Sequence, residues 1–248
     1  MAPGPAVEID IERMGFAGDD AAQVHRDIRL SVAPGQVVAL IGPSGVGKTT
    51  LLRIIAGTER RFRGSVRIGG FPAAEAPVPG FVFQDARLLP WLTAEGNLRA
   101  VSPALDQAEI EALLAQVGLA GWARAFPREL SGGMQRRLGL ARALSVRSGL
   151  LLLDEPFVSL DRENVEALQA MFRAVFAQHR PTVILVSHDP ADAARLADRA
   201  VLLAGRPATI VADLPIGPGS ERPATLPTAA ETAEIVARIR NAAKGRES

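Results

Sequence analysis

The chain has 248 residues, with 28 Lys+Arg against 27 Asp+Glu, and 48% of its residues are apolar. That length suits one large domain, or one domain with an inserted subdomain, around a sizeable core, and the balanced charge argues against a nucleic-acid-binding surface. No cysteine occurs, which excludes disulfides, cysteine–zinc sites and thiol catalysis.

In chain order, Val7–Glu12 alternates apolar and acidic residues, as a half-buried edge strand does. Residues 15–23 read as a loop. Ile28, Leu30 and Val32 alternate again before the Pro34-Gly35 turn. Val37–Ile41 is a buried strand running into glycine-rich Gly42–Gly47 and then a helix, Lys48–Ala56, closed by Gly57. Ser102-Pro103 reads as a helix start, serine as cap and proline in the first turn, with Ile110, Leu113, Leu114 and Val117 keeping helical spacing up to Gly118.

A second helix follows Ser131, with Met134, Leu138, Ala141 and Leu144 on one face. Leu150–Leu153 is another buried strand, ending at Asp154-Glu155. Val165, Leu168, Phe172, Val175 and Phe176 mark a helix, and Thr182–Val186 a strand ending at Ser187-His188. Two short strands near Val201 and Ile210 precede a Pro/Gly-rich linker, Pro215–Pro227. A last helix starts at Thr228 with a capping box to Glu231. Strands alternating with helices predict an α/β fold with a mostly parallel sheet covered on both faces.

No apolar run approaches the roughly 18 residues that cross a bilayer, and MAPGPAVEID has no basic start followed by an apolar stretch. The expectation is a cytoplasmic chain that works at a membrane only through a partner.

Gly42-Pro43-Ser44-Gly45-Val46-Gly47-Lys48-Thr49 is a complete P-loop between a strand and a helix. Its glycines let backbone N–H groups converge on phosphate, and the helix adds its positive end. Lys48 can reach the β and γ phosphates and Thr49 can ligate magnesium. Asp154, at a strand's carboxyl end, can hold magnesium directly or through water, and Glu155 is positioned to polarise an attacking water. Leu130-Ser131-Gly132-Gly133-Met134 precedes a helix that Ser131 caps. Its glycines leave that helix end open to an anion, although an ordinary N-cap looks the same. His188, after its strand, is either a γ-phosphate hydrogen-bond partner or a structural histidine. Gln84 follows Phe81-Val82-Phe83, where its amide can touch magnesium or water. Nothing singles out His25 or His179.

Taken in order, GPSGVGKT, the glutamine of FVFQD, LSGGM, LLLLDEP, Ser159-Leu160-Asp161 and Ser187-His188-Asp189 resemble the ATP-binding cassette family of transporter ATPases over roughly residues 7–213. LSGGM lying shortly before the LLLLDEP strand is the specific part. The resemblance implies a P-loop NTPase (RecA-like) core over about 1–86 and 146–214, with an N-terminal antiparallel β subdomain. It also implies an inserted α-helical subdomain over about 87–145 bearing the signature motif, then a linker and C-terminal helix over 215–248. It implies ATP and Mg2+ as cofactors, with residues Gly42–Thr50 around the phosphates and Thr49, Gln84 and Asp154 serving the metal. Glu155 would be the general base, His188 the γ-phosphate sensor and Gln84 a further catalytic contact.

Ser131, Gly132, Gly133 and Met134 would meet the ATP of a second copy, or of a homologous cassette, across a head-to-tail dimer with Asp161 at its seam. Phe16 is the candidate for stacking on adenine, or a core residue instead, with Val24 as an apolar wall. Phe83–Trp91 resembles the branch serving nitrate, sulfonate, taurine and thiamine-precursor importers, as do Asp154–Phe157 and Arg206-Pro207. There Leu88, Leu89 and Trp91 either line a socket for a helix of a membrane permease or belong to the core. The implied function is the ATPase of a membrane importer, peripheral on the inner face of the cell membrane, with no nucleic-acid partner. A soluble cassette ATPase uncoupled from transport, a regulatory ATP-binding cassette and an exporter subunit are the alternatives. Met134 stands where this family commonly has glutamine, and Gln135-Arg136-Arg137 where an Arg-Gln-Arg order is more familiar.

Overall fold

The computed structural model describes residues 2–15, 23–217 and 224–244. Two sheets share the molecule. The first is antiparallel, in the order β2-β1-β4-β5. Strand β1 (Val7–Gly15) buries Val7, Ile9 and Ile11 and exposes Glu8 and Asp10. It pairs with β2 (Gln23–Val32) on one side and with β4 (Phe62–Ile68) on the other; β5 (Phe71–Pro72) ends the sheet. Strand β4 buries only Val66 and Ile68 among arginines, Ser65 and Gly64, so its alternation is too broken to read from sequence.

The second sheet runs β10-β9-β3-β8-β7-β6. Strands β3 (Val37–Ile41), β6 (Gly80–Val82), β7 (Leu150–Asp154), β8 (Thr182–Ser187) and β9 (Arg199–Ala204) are parallel, and β10 (Thr209–Pro215) closes one edge antiparallel to β9. Strands β3 and β8 are buried along their whole length, as a parallel sheet covered on both faces requires. One face (Val38, Leu40, Leu150, Leu152, Ile184, Val186) packs with α1 (Lys48–Ile55) and the antiparallel sheet. The other (Val37, Ala39, Leu151, Leu153, Val183, Leu185) packs with Phe172 and Phe176 of α5 (Arg162–His179). Truncating either ring to Ala opens a buried cavity at a cost of about 3–5 kcal/mol.

Between β6 and β7 lies the helical insert, with α2 (Ala94–Arg99), α3 (Gln107–Gln116), a 3-10 turn at Pro127–Glu129 and α4 (Gly132–Ser145). The start of α3 corrects the sequence reading. Ser102 does not cap it: its Oγ donates 2.8 Å to the carbonyl of Ser145, and residues 103–105 remain a turn. Asp106 caps instead, in a reciprocal box with Glu109 that satisfies two helix-end donors at once. Ser131 and Thr228 with Glu231 cap α4 and α7 (Ala229–Lys244) as expected, and Asp161 caps α5. Helix α6 (Pro190–Leu196), seven residues long, is too short to announce itself by periodicity. Residues 218–223 of the linker lie outside the described residues.

Candidate functional site

Because β3, β8, β7 and β6 run parallel and adjacent, the residues that end them meet at one carboxyl edge. The P-loop leaves the end of β3. Its turn needs φ +78° at Gly45 and +102° at Gly47, the residue that caps α1. A Cβ at Gly47 would also stand 2.7 Å from both Val24 Cγ1 and His25 Nε2. The first turn of α1 carries no acidic side chain, so its amides and the positive end of its dipole are free for an anion.

Lys48 is buried, and its Nζ donates to the carbonyls of Gly42 (2.7 Å) and Pro43 (3.0 Å) while lying 3.7 Å from Glu155 Oε1. Burial lowers the ammonium's pKa, and Glu155 pulls it back up. Thr49 Oγ1 donates 2.9 Å to Asp154 Oδ1. Burial raises the Asp154 pKa, opposed by that hydrogen bond. A hydroxyl and a carboxylate oxygen this close are the hard-oxygen pair magnesium takes alongside phosphate and water, and the donor set fits the ion.

Glu155 takes φ +50°, unusual for a side-chain-bearing residue, with its N–H donating 3.0 Å to Val186 O. Its carboxylate then lies between Lys48 and His188, whose Nδ1 is 2.5 Å from Glu155 Oε2. A carboxylate only accepts, so His188 donates from Nδ1 in this arrangement. Gln84 is exposed just beyond β6, two residues past the Val82–Leu153 pair.

The structure thus gathers Gly42–Thr50, Asp154, Glu155 and His188, with Gln84 at the same sheet edge. Ser131 and Gly132 are exposed at the start of α4, and the Ser131 hydroxyl accepts from the Met134 N–H at 3.3 Å. Among the described residues no hydrogen bond joins Ser131–Gly133 to the P-loop. Met134 packs against the core. Asp161 is exposed and caps α5, its carboxylate accepting from the N–H and side-chain amide of Asn164, which keeps it below the usual carboxylate range. Val24 is half-buried against Gly47; Phe16 lies outside the described residues. Trp91 is 69% exposed, whereas Leu88 packs against the core.

Three further residues escape sequence reading. His25, fully buried, lies 3.1 Å through Nε2 from the Gly47 carbonyl, which also accepts the first bond of α1 from Leu51 N. Burial lowers its pKa, and because a carbonyl only accepts, Nε2 is the donor. Arg142 of α4 donates to Ala86 O (2.7 Å) and Arg87 O (2.8 Å), behind Gln84, and Arg136 donates 2.6 Å to Val158 O, ahead of Asp161. One helix therefore grips the segments after Gln84 and after Glu155. Nothing local in the sequence marks these partners.

Known proteins resemble the chain in sequence and in fold. The ABC transporter family profile matches residues 25–158. The aliphatic sulfonates import ATP-binding protein SsuB 2 of Pseudomonas syringae pv. tomato is 44% identical over 213 residues, 85% of this chain and 88% of that protein. The SsuB of Bacillus subtilis is 40% identical over 228 residues, 90% of this chain and 89% of that one. Among solved structures, the ATP-binding cassette MJ0796, a dimer in a post-hydrolysis state bound to ADP and Pi, superposes with a TM-score of 0.73. It is 24% identical and covers 85% of this chain and 99% of its own, a likeness of fold.

Proposed function

The chain belongs to the ABC transporter family, and from that premise we propose that it is the ATP-hydrolysing subunit that powers an importer of a small sulfonate-like solute. One observation carries the reading of the site: Lys48, Glu155 and His188 form a continuous line of contacts (3.7 and 2.5 Å) beside the Thr49–Asp154 pair, at the carboxyl edge where β3, β7 and β8 end.

In this reading the P-loop amides and Lys48 hold the β and γ phosphates, and Lys48 exchanges its two carbonyl partners for phosphate oxygens. Thr49, Asp154 and Gln84 hold magnesium, which neutralises phosphate charge. Glu155 accepts a proton from the attacking water, and His188 hydrogen-bonds the γ-phosphate. Ser131–Gly133 of a second copy, unlinked to their own P-loop and with Ser131 and Gly132 exposed, close over the same nucleotide in a head-to-tail dimer with Asp161 at the seam, completing the charge cradle and excluding water. The exposed Trp91, with Leu89, receives a helix of an integral-membrane permease. Among the described residues no helix is long and apolar enough to cross a membrane. The relatives named as import ATP-binding proteins support a peripheral position on the inner membrane face.

Substituting Glu155→Gln keeps nucleotide binding and removes the base. With Mg-ATP the variant runs as a dimer on size-exclusion chromatography and turns over at least about a hundredfold more slowly. A variant that stays monomeric and hydrolyses at the parent rate rejects Glu155 as base.

A further inference from the structure

Behind His188 lies a buried set of polar groups that the mechanism above does not use. Asp192 (8% exposed), Ser187 (2%) and Gln169 (1%) come from α6, the end of β8 and α5. Their hydrogen bonds share one direction. Arg195 Nη1 donates to Gln169 Oε1 (2.8 Å), and Gln169 Nε2 donates to Asp192 Oδ1 (2.8 Å). From the other side Asp189 N donates to Ser187 Oγ (3.0 Å), and Ser187 Oγ donates to Asp192 Oδ2 (2.6 Å). Every donor points toward the one carboxylate, and both its oxygens are used.

We infer that Asp192 is a positioning residue for ATP hydrolysis: through the Ser187 hydroxyl it pins the two residues that flank His188, so that the imidazole stays aimed at Glu155 and the P-loop. Ser187 and Asp189 bracket His188, and both are tied to this carboxylate, directly or through one hydroxyl. The His188 side chain is itself 51% exposed, so its aim rests on its backbone and on its hydrogen bond to Glu155 rather than on packing. The inference rests on the reading of His188 proposed above.

An amide at position 192 keeps the shape and breaks the pattern. Asparagine offers one acceptor oxygen and one NH2 group, so either Gln169 or Ser187 faces a donor. Gln169 cannot simply flip, because Arg195 holds its oxygen. The amide NH2 therefore faces Ser187, whose hydroxyl loses its acceptor and must turn to accept instead, so the loss falls on the loop that carries His188, and misplacing a catalytic contact costs rate more than affinity.

The experiment compares steady-state ATP hydrolysis by the full chain with Mg2+ in the parent, Asp192→Asn, Ser187→Ala and the double variant. Each single variant is expected to lower kcat about tenfold or more, with KM for ATP within about twofold and a cooperative urea melt retained. The double variant should be no worse than the poorer single variant by more than about twofold, because both cut one relay. A folded Ser187→Ala or Asp192→Asn with parental kcat overturns the inference. So does a pattern in which KM worsens as much as kcat falls, or in which melting cooperativity is lost in both, because that is a purely structural role. A parent without Mg-ATP hydrolysis removes the proposed function itself, and this inference with it.

Discussion

Alanine at Gly47 and at Gly45 separates two reasons for a glycine in one loop. At Gly45, φ is +78° and an added Cβ meets nothing within 4 Å. Left-handed backbone costs an L-residue roughly 1–2 kcal/mol, and the stiffer unfolded chain returns about 0.4–1 kcal/mol, so Gly45→Ala should cost about 1 kcal/mol. At Gly47, φ is +102° with ψ +7° and the Cβ would stand 2.7 Å from Val24 Cγ1 and His25 Nε2. Strain there is of order 1–3 kcal/mol, and a displaced, fully buried His25 forfeits a bond worth about 1 kcal/mol. Gly47→Ala should therefore cost about 3 kcal/mol, some 2 kcal/mol more than its neighbour, or about 4–8 °C in Tm for a chain of this size.

The assay is urea and thermal unfolding of the nucleotide-free protein. A His25→Ala background removes the obstructing ring, and in it the cost of Gly47→Ala should shrink by about 1 kcal/mol. Equal costs at the two glycines within about 0.5 kcal/mol, or a cost unchanged by His25→Ala, would refute the claim that His25 and the P-loop are fitted to each other.

Lys48→Ala should lower ATP affinity by about tenfold to a hundredfold, since it removes a charge-assisted contact worth about 1.5–3 kcal/mol; unchanged affinity in titration calorimetry would count against the phosphate role. A pH series tests the buried relay from another side. Burial raises the Asp192 carboxyl from its usual 3.8 to about 6, with the Ser187 and Gln169 bonds resisting and Asp189 assisting. The folded chain then binds more protons than the unfolded chain between about pH 4 and 6, so this group's contribution to stability falls as pH rises through that window. The cost is fully present above about pH 6 and amounts to about 3 kcal/mol for a shift of about two units. Asp192→Asn lacks it, so the unfolding free energy of the variant should gain on the parent by about that amount between pH 4 and pH 7. Parallel stability–pH curves would show that the carboxyl does not titrate in that range.

The amino-acid order alone determined the parts of this protein whose causes are local. A glycine spacing with lysine and threonine makes a phosphate loop wherever a strand feeds a helix, so Gly42–Thr49 was legible at once. Uninterrupted apolar runs at 37–41 and 150–153 had to be buried strands, and Ser131 and the Thr228–Glu231 box cap the helices they precede because capping reaches only three residues ahead. The order of chemical groups at the ends of β3, β7 and β8 followed, since parallel strands share one carboxyl edge.

Tertiary structure decided whatever depends on partners far along the chain. Ser102 offers a cap by its type, yet its hydroxyl is taken by a carbonyl 43 residues away and α3 starts at Asp106. Strand β4 exists because β1 lends it an edge, despite its own broken alternation. His25 is an undistinguished strand residue until β2 brings it to the back of Gly47, 22 residues on. Asp192, Gln169 and Ser187 become a relay only where α5, α6 and β8 meet. Hydrogen bonds between elements depend on register and packing angle, and those are set by burying two whole faces of a sheet at once, which no short window of sequence encodes.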